Sequence, residues 1–235
     1  VFMDIKLNLE NINFKIAESC KKSNRNSSSV KLVAVSKFHP IEQIIQAIDC
    51  GQFLFGENRV QEAKEKFIKI YQNYSNVDLH IIGSLQRNKV KDACKIASCI
   101  ESVDRIELIE EIEKQCQKID KNIDILFEVH TGEESKSGFK SFSELENVLE
   151  LFSQNKFSHI TPKGFMTMAP FTEDESLIRK SFSTLREYSD KLKKEFPMFK
   201  MPELSMGMSG DYQIAIEEGS TIVRIGTSIF GPRNY

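Results

Sequence analysis

Apolar residues in the first stretch of the chain fall at Phe2, Ile5, Leu9, Ile12 and Ile16, the spacing of one helical face, and predict an amphipathic helix over about 2–22. The polar run KKSNRNSSS at 21–29 then reads as a loop. From residue 31 a rhythm begins in which short β-branched runs alternate with longer stretches of helical period. The predicted strands are KLVAVSK at 31–37, FLFGEN at 53–58, LHIIGSL at 79–85 and CIESV at 99–103. They continue with IDILFEVH at 123–130, ITPKGFMTM at 160–168, ELSMGM at 203–208 and STIVRIGT at 220–227. Helices are expected between them at about 40–49, 59–73, 88–97, 105–118, 142–154, 174–195 and 211–218. Eight strands, seven intervening helices and a leading helix make a single (β/α)8 barrel of the TIM type the economical fold. A doubly wound open sheet would alternate in the same way, but no GxGxxG follows the first strand. No linker rich in proline or glycine divides the chain, so 1–235 is expected to form one domain, with 1–30 as leading helix and loop.

A length of 235 residues is normal for one such barrel. The balance of 32 Lys and Arg against 34 Asp and Glu leaves a net charge of −2 and no electrostatic footprint for nucleic acid. No run of about 18 apolar residues occurs, so no membrane span is expected. Asp4, Glu10 and Glu18 interrupt anything resembling a signal-peptide core. The five cysteines (Cys20, Cys50, Cys94, Cys99 and Cys116) contain no CxxC, and Cys94-x4-Cys99 has no second half for zinc. His39, His80, His130 and His159 form no metal spacing either. The expectation is a cytoplasmic protein with reduced thiols and no metal.

Reactive groups of such barrels lie at the C-terminal ends of the strands. Lys37 ends the first predicted strand, where apolar walls favour a neutral, nucleophilic amine able to form an imine with an aldehyde. The same position also suits a lysine snorkelling at the strand mouth. Arg224 lies inside STIVRIGT, on one face with Ile222 and Gly226, and a buried charge there must be paired or functional. A structural ion pair across the barrel mouth is the plainer account. Residues 205–211 (SMGMSGD) leave the seventh strand with a free serine, Ser209, and Gly226-Thr227 supplies bare backbone and a hydroxyl after the eighth. Ordinary turn chemistry explains each alone, but loops seven and eight are where barrels frequently bind phosphate. A lysine, a buried arginine and a phosphate cradle describe a site for a phosphorylated aldehyde, for which pyridoxal 5′-phosphate (PLP) is the candidate.

The segments AVSKFHP, FGENRVQE, HIIGSLQRNK, EESKSG, GFMTMAP and LSMGMSGDYQIAIEEGSTIVRIGTSIFG together closely resemble the pyridoxal phosphate homeostasis protein family, from about residue 31 onward. The resemblance implies a barrel similar to the N-terminal domain of bacterial alanine racemase, with PLP held as a Schiff base on Lys37. Ser209, Gly226 and Thr227 would hold the phosphate, Arg224 would face the pyridine nitrogen, and Asn58 and Met166 would form walls of the pocket. Lys136 resembles a further family lysine. The chain departs from the family at FEVHTGEESKSG, where an asparagine more often stands near His130, so His130 reads as a local substitution without a catalytic role.

An arginine at the ring nitrogen disfavours its protonation and leaves a weak electron sink. Racemases of this class add a tyrosine from a further β-domain, and the tyrosines at 71, 74, 188, 212 and 235 offer no equivalent by motif. The expected function is therefore PLP buffering or delivery to apo-enzymes, by a monomer without substantial catalysis. A PLP-dependent amino-acid racemase is the alternative, and a phosphosugar-binding barrel without PLP the third reading.

Overall fold

Each of the eight β-branched runs forms a strand, and the strands close on themselves in sequence order. The computed structural model describes residues 4–132 and 137–232. The strands are β1 (Lys31–Val35), β2 (Leu54–Glu57), β3 (Asp78–Ile81), β4 (Cys99–Val103), β5 (Ile123–Glu128), β6 (Ile160–Met166), β7 (Glu203–Ser205) and β8 (Ile222–Ile225). All pair in parallel, and β8 closes on β1 with Val33 opposite Arg224. Helices follow in turn: α1 (Ile5–Lys22), α2 (Ile41–Asp49), α3 (Val60–Tyr71), α4 (Val90–Ile96), α5 (Ile106–Ile119), α6 (Phe142–Ser153), α7 (Glu175–Glu195), α8 (Tyr212–Glu217) and α9 (Thr227–Phe230).

The period of two sorts side chains into two layers. Val33, Val35, Cys99, Leu126, Met166 and Ile222 fill the barrel. Their alternates, among them Ala34, Phe55, Leu79, Phe127, Phe165 and Val223, pack outward against the helices. The leading helix buries Ile5, Leu9, Ile12 and Ile16 as its spacing requires, while Phe2 lies outside the described residues. Asp4 caps it by accepting from the Leu7 N–H at 3.0 Å. It is tied to the C-terminal part of the chain by Asn8, which donates to the Ile229 carbonyl at 2.8 Å, and the loop after it by Arg25, which donates to that of Ile216 at 2.9 Å.

The strands are shorter than the apolar runs, and the difference falls at their C-terminal ends. β1 stops at Val35, so Lys37 stands in the turn that follows rather than in the strand. β7 stops at Ser205 because Gly207 turns the chain at φ +99°. β8 stops at Ile225, and Gly226 opens a helical turn that sequence reasoning missed, α9. Among the described residues no helix is long and apolar enough to cross a membrane.

Candidate functional site at the C-terminal mouth

The turn after β1 presents Lys37. The Ser36 N–H continues the strand by donating to the Gly56 carbonyl at 3.1 Å, and the His39 N–H closes the turn on the Ser36 carbonyl at 3.1 Å. Phe38 takes up the reversal with φ +65°, a left-handed conformation uncommon for a residue with a side chain. His39 is fixed in turn by Gln43, whose Oε1 lies 2.9 Å from its Nδ1, and by the ring of Phe230 at 5.1 Å between centroids.

Arg224 rises from β8 into the barrel and is buried. Its guanidinium donates to Ser205 Oγ at 2.7 Å and to the Thr167 carbonyl at 2.9 Å. Ser205 donates onward to Glu101 Oε2 at 2.5 Å, and the other oxygen of Glu101 lies 2.6 Å from His80 Nδ1. A polar chain thus crosses the interior through β8, β7, β4 and β3. Burial pulls the Arg224 pKa down, while the charges of Glu101, Asp211 and Glu128 hold it up. For Glu101 burial is the largest influence and favours the neutral acid. The hydrogen bond and charge of His80, the charge of Arg224 and the Ser205 hydroxyl together outweigh it, so its carboxyl sits below the usual range. Glu128, at the end of β5, is pushed up by burial despite accepting from the Ser137 hydroxyl at 2.7 Å.

The loops after β7 and β8 complete the mouth. Gly207 is required where it stands, since a Cβ there would lie 2.6 Å from that of Ala215 and 2.8 Å from the Tyr212 backbone. The loop beyond is fastened by the Met208 N–H, which donates to Asp211 Oδ1 at 2.6 Å. This leaves the Ser209 hydroxyl and the bare backbone of Gly210 at the mouth, across from Gly226 and Thr227.

These loops enclose a cavity of ≈ 340 Å³, within the range of small-molecule sites. Lys37, Asn58, Ser209, Arg224, Gly226 and Thr227 all line it. Met166 does not: as the last residue of β6 it is buried in the layer below. Met168, two positions on and therefore on the same face nearer the mouth, takes its place. Lys136 lies outside the described residues, and His130 does not line the cavity. Tyr212 is buried beneath the loop with its hydroxyl pKa raised by that burial, and no tyrosine lines the cavity among the described residues. Sequence reasoning also missed Glu101 and His80. The signal was present, since a carboxylate inside CIESV is as anomalous as an arginine inside STIVRIGT. A hollow of ≈ 490 Å³ between the start of α5 and α6 gathers none of the expected groups. No metal-binding cluster of three or more His, Cys, Asp or Glu exists among the described residues.

The family model of the alanine racemase N-terminal domain matches residues 7–234. The pyridoxal phosphate homeostasis protein of Aquifex aeolicus is 42% identical over 225 residues, covering 94% of this chain and 95% of that protein. That of Haemophilus influenzae is 37% identical over 235 residues, covering 99% and 98%. Among solved structures, PipY of Synechococcus elongatus with PLP bound aligns with a TM-score of 0.82 at 32% identity, covering 92% of this chain and all of that one. An alanine racemase of Clostridium difficile aligns with a TM-score of 0.76 at 15% identity, over 99% of this chain and 57% of the racemase, and so shares the fold.

Proposed function

The chain belongs to the pyridoxal phosphate homeostasis proteins within the alanine racemase N-terminal domain family, and we propose from that premise that it binds PLP on Lys37 as a Schiff base and serves as a carrier of the cofactor. The observation that supports this most is the convergence of Lys37, Arg224, Ser209 and Thr227 on one cavity. The donor set fits the group: an amine for the aldehyde, hydroxyls and bare backbone for the phosphate, and a guanidinium for the ring nitrogen. Asn58 and Met168 are its walls in this reading.

PLP supplies an aldehyde that joins amines and a ring that draws electrons from them. Arg224 limits the second property. A guanidinium keeps its proton at neutral pH, so with PLP bound it would donate to the ring nitrogen and oppose protonation there. The network behind it holds that charge in place: Ser205 and the Thr167 carbonyl occupy two of its nitrogens, and Glu101 balances it through Ser205. General acid–base assistance is worth about 10²–10⁴-fold, and among the described residues no tyrosine lines the cavity to give it on a second face. The reading is accordingly a protein that holds PLP and releases it to apo-enzymes without turning over amino acids, in a reducing cytoplasm that suits its five free thiols.

The test is an apo-enzyme reactivation assay run beside a survey of free amino acids for racemisation, transamination and decarboxylation. Transfer of PLP without turnover is expected. Turnover near about one per second, typical of a working enzyme, contradicts the carrier and restores the racemase.

A further inference from the structure

We infer that Lys66, together with Glu57 and Glu62, is the positioning unit of Lys37. The inference rests on the reading of Lys37 as the cofactor-holding lysine and adds to it the residues that hold that lysine in place.

Both neighbours of Lys37 are tied to this cluster. The Ser36 hydroxyl donates to Glu57 Oε1 at 2.7 Å, and the Ser36 carbonyl accepts from Lys66 Nζ at 2.9 Å. The Phe38 N–H donates to Glu62 Oε1 at 2.6 Å. Lys66 joins the two carboxylates, donating to Glu57 Oε1 at 3.1 Å and Glu62 Oε1 at 2.6 Å. One ammonium on α3 therefore bridges the end of β2, its own helix and the carbonyl immediately before Lys37. All three of its hydrogens are used.

The centre of the cluster is shielded from water, with Glu62 at its partly exposed rim. Ser36 and Glu57 are fully buried, and only 13% of the Lys66 side chain is exposed. None of Lys66, Glu57 and Glu62 lines the cavity, so they act on the site through the backbone they hold, the two neighbours of Lys37 foremost. Glu57 is costly where it stands, since its Oε2 is buried without a hydrogen-bond partner. An apolar residue would pack there without that cost, but could bind neither Ser36 nor Lys66.

The turn has need of such a hold. Phe38 is kept at φ +65°, a conformation that persists in a residue with a side chain only when its surroundings determine it. The Glu62 carboxylate on its N–H and the Arg59 guanidinium 5.5 Å from its ring centre supply that determination from α3 and its entry. A lysine on a slack turn spreads its amine over many positions, whereas one on a fixed turn presents it where the aldehyde must arrive. Misplacement of a reacting group by about 1 Å can cost on the order of 10²-fold in rate.

The experiment separates imine formation from binding. Lys66→Met keeps the aliphatic stem and removes the ammonium. Two quantities are measured on parent and variant: the rate at which borohydride-trappable PLP accumulates on Lys37, and the affinity for 4′-deoxypyridoxine 5′-phosphate, which has the ring and phosphate but no aldehyde. The expected result is trapping slower by about 10- to 100-fold, unchanged affinity for the aldehyde-free analogue, and recovery of rate in Lys66→Arg. Glu62→Ala, at a partly exposed position, should show a smaller loss of the same kind and carries the test if Lys66→Met does not fold. Trapping at the parental rate in the folded variants, or equal loss of trapping and analogue affinity, overturns the inference alone. Absence of trapping on Lys37 in the parent overturns the reading of the site, and this inference with it.

Discussion

Ser209 and Thr227 carry hydroxyls on opposite loops of one cavity, and a phosphate between them would take a charge-assisted hydrogen bond from each, worth roughly 1.5–3 kcal/mol. Replacing both by alanine should therefore weaken PLP binding by several kilocalories while leaving pyridoxal, which lacks the phosphate, much less affected. Equilibrium titration with the two ligands checks this, and equal losses would show that these hydroxyls do not touch phosphate. Lys37 is only half-buried, at a turn, so Lys37→Ala should remove the covalent link while shifting the melting temperature by less than about 2–4 °C. At this scale the sequence was informative wherever a residue violated its surroundings. Lys37 and Arg224 stood out as charges closing or interrupting apolar runs, and both line the cavity. Met166 and Met168 could not be told apart in the same way. Both share a face of GFMTM, and only the depth of the barrel decides which of them reaches the mouth.

Individual strands and helices followed the hydrophobic period closely, because the two faces of a barrel strand are both buried and each needs its own apolar set. Their ends did not follow it. Apolar residues continue past Val35, Ser205 and Ile225 into the loops, where Met206 and Ile229 are buried but Phe38 and Met208 are exposed, so the hydrophobic pattern does not mark where each strand ends. Links between elements were the least legible feature, since His80, Glu101, Ser205 and Arg224 come from four strands and meet only when the barrel closes. That chain makes a prediction. The Glu101 carboxyl is held below its usual pKa of about 4.3, so its contribution is present above that value and is lost as pH falls through the folded pKa. Glu57 and Glu128, pushed up by burial, act in the opposite sense, their contributions fading as pH rises through their own raised values. Glu101→Gln isolates the first effect. It should destabilise the protein by about 1–3 kcal/mol at neutral pH, the cost of leaving buried partners imperfectly satisfied. The gap to the parent should narrow below about pH 4.3. Urea unfolding across that range measures it, and a gap that stays constant with pH would show that the Glu101 charge does not serve this network.

Closure of the barrel leaves no strand edge open among the described residues, and sedimentation equilibrium should accordingly give the mass of one chain. Strands borrowed from a neighbouring copy would contradict the self-contained barrel, and a stable dimer without exchange would contradict the expected single-chain mass. Closure also explains how residues as far apart as Lys37 and Thr227 come to share one cavity: β8 lies beside β1, so the two ends of the motif-bearing sequence are neighbours. The central claim is that this neighbourhood exists to hold PLP on Lys37. The direct measurement is borohydride reduction of the PLP-loaded protein followed by peptide mapping. A phosphopyridoxyl group is expected on the peptide containing Lys37, whereas label on another lysine, with Lys37 unmodified, would rule out Lys37 as the cofactor-holding residue.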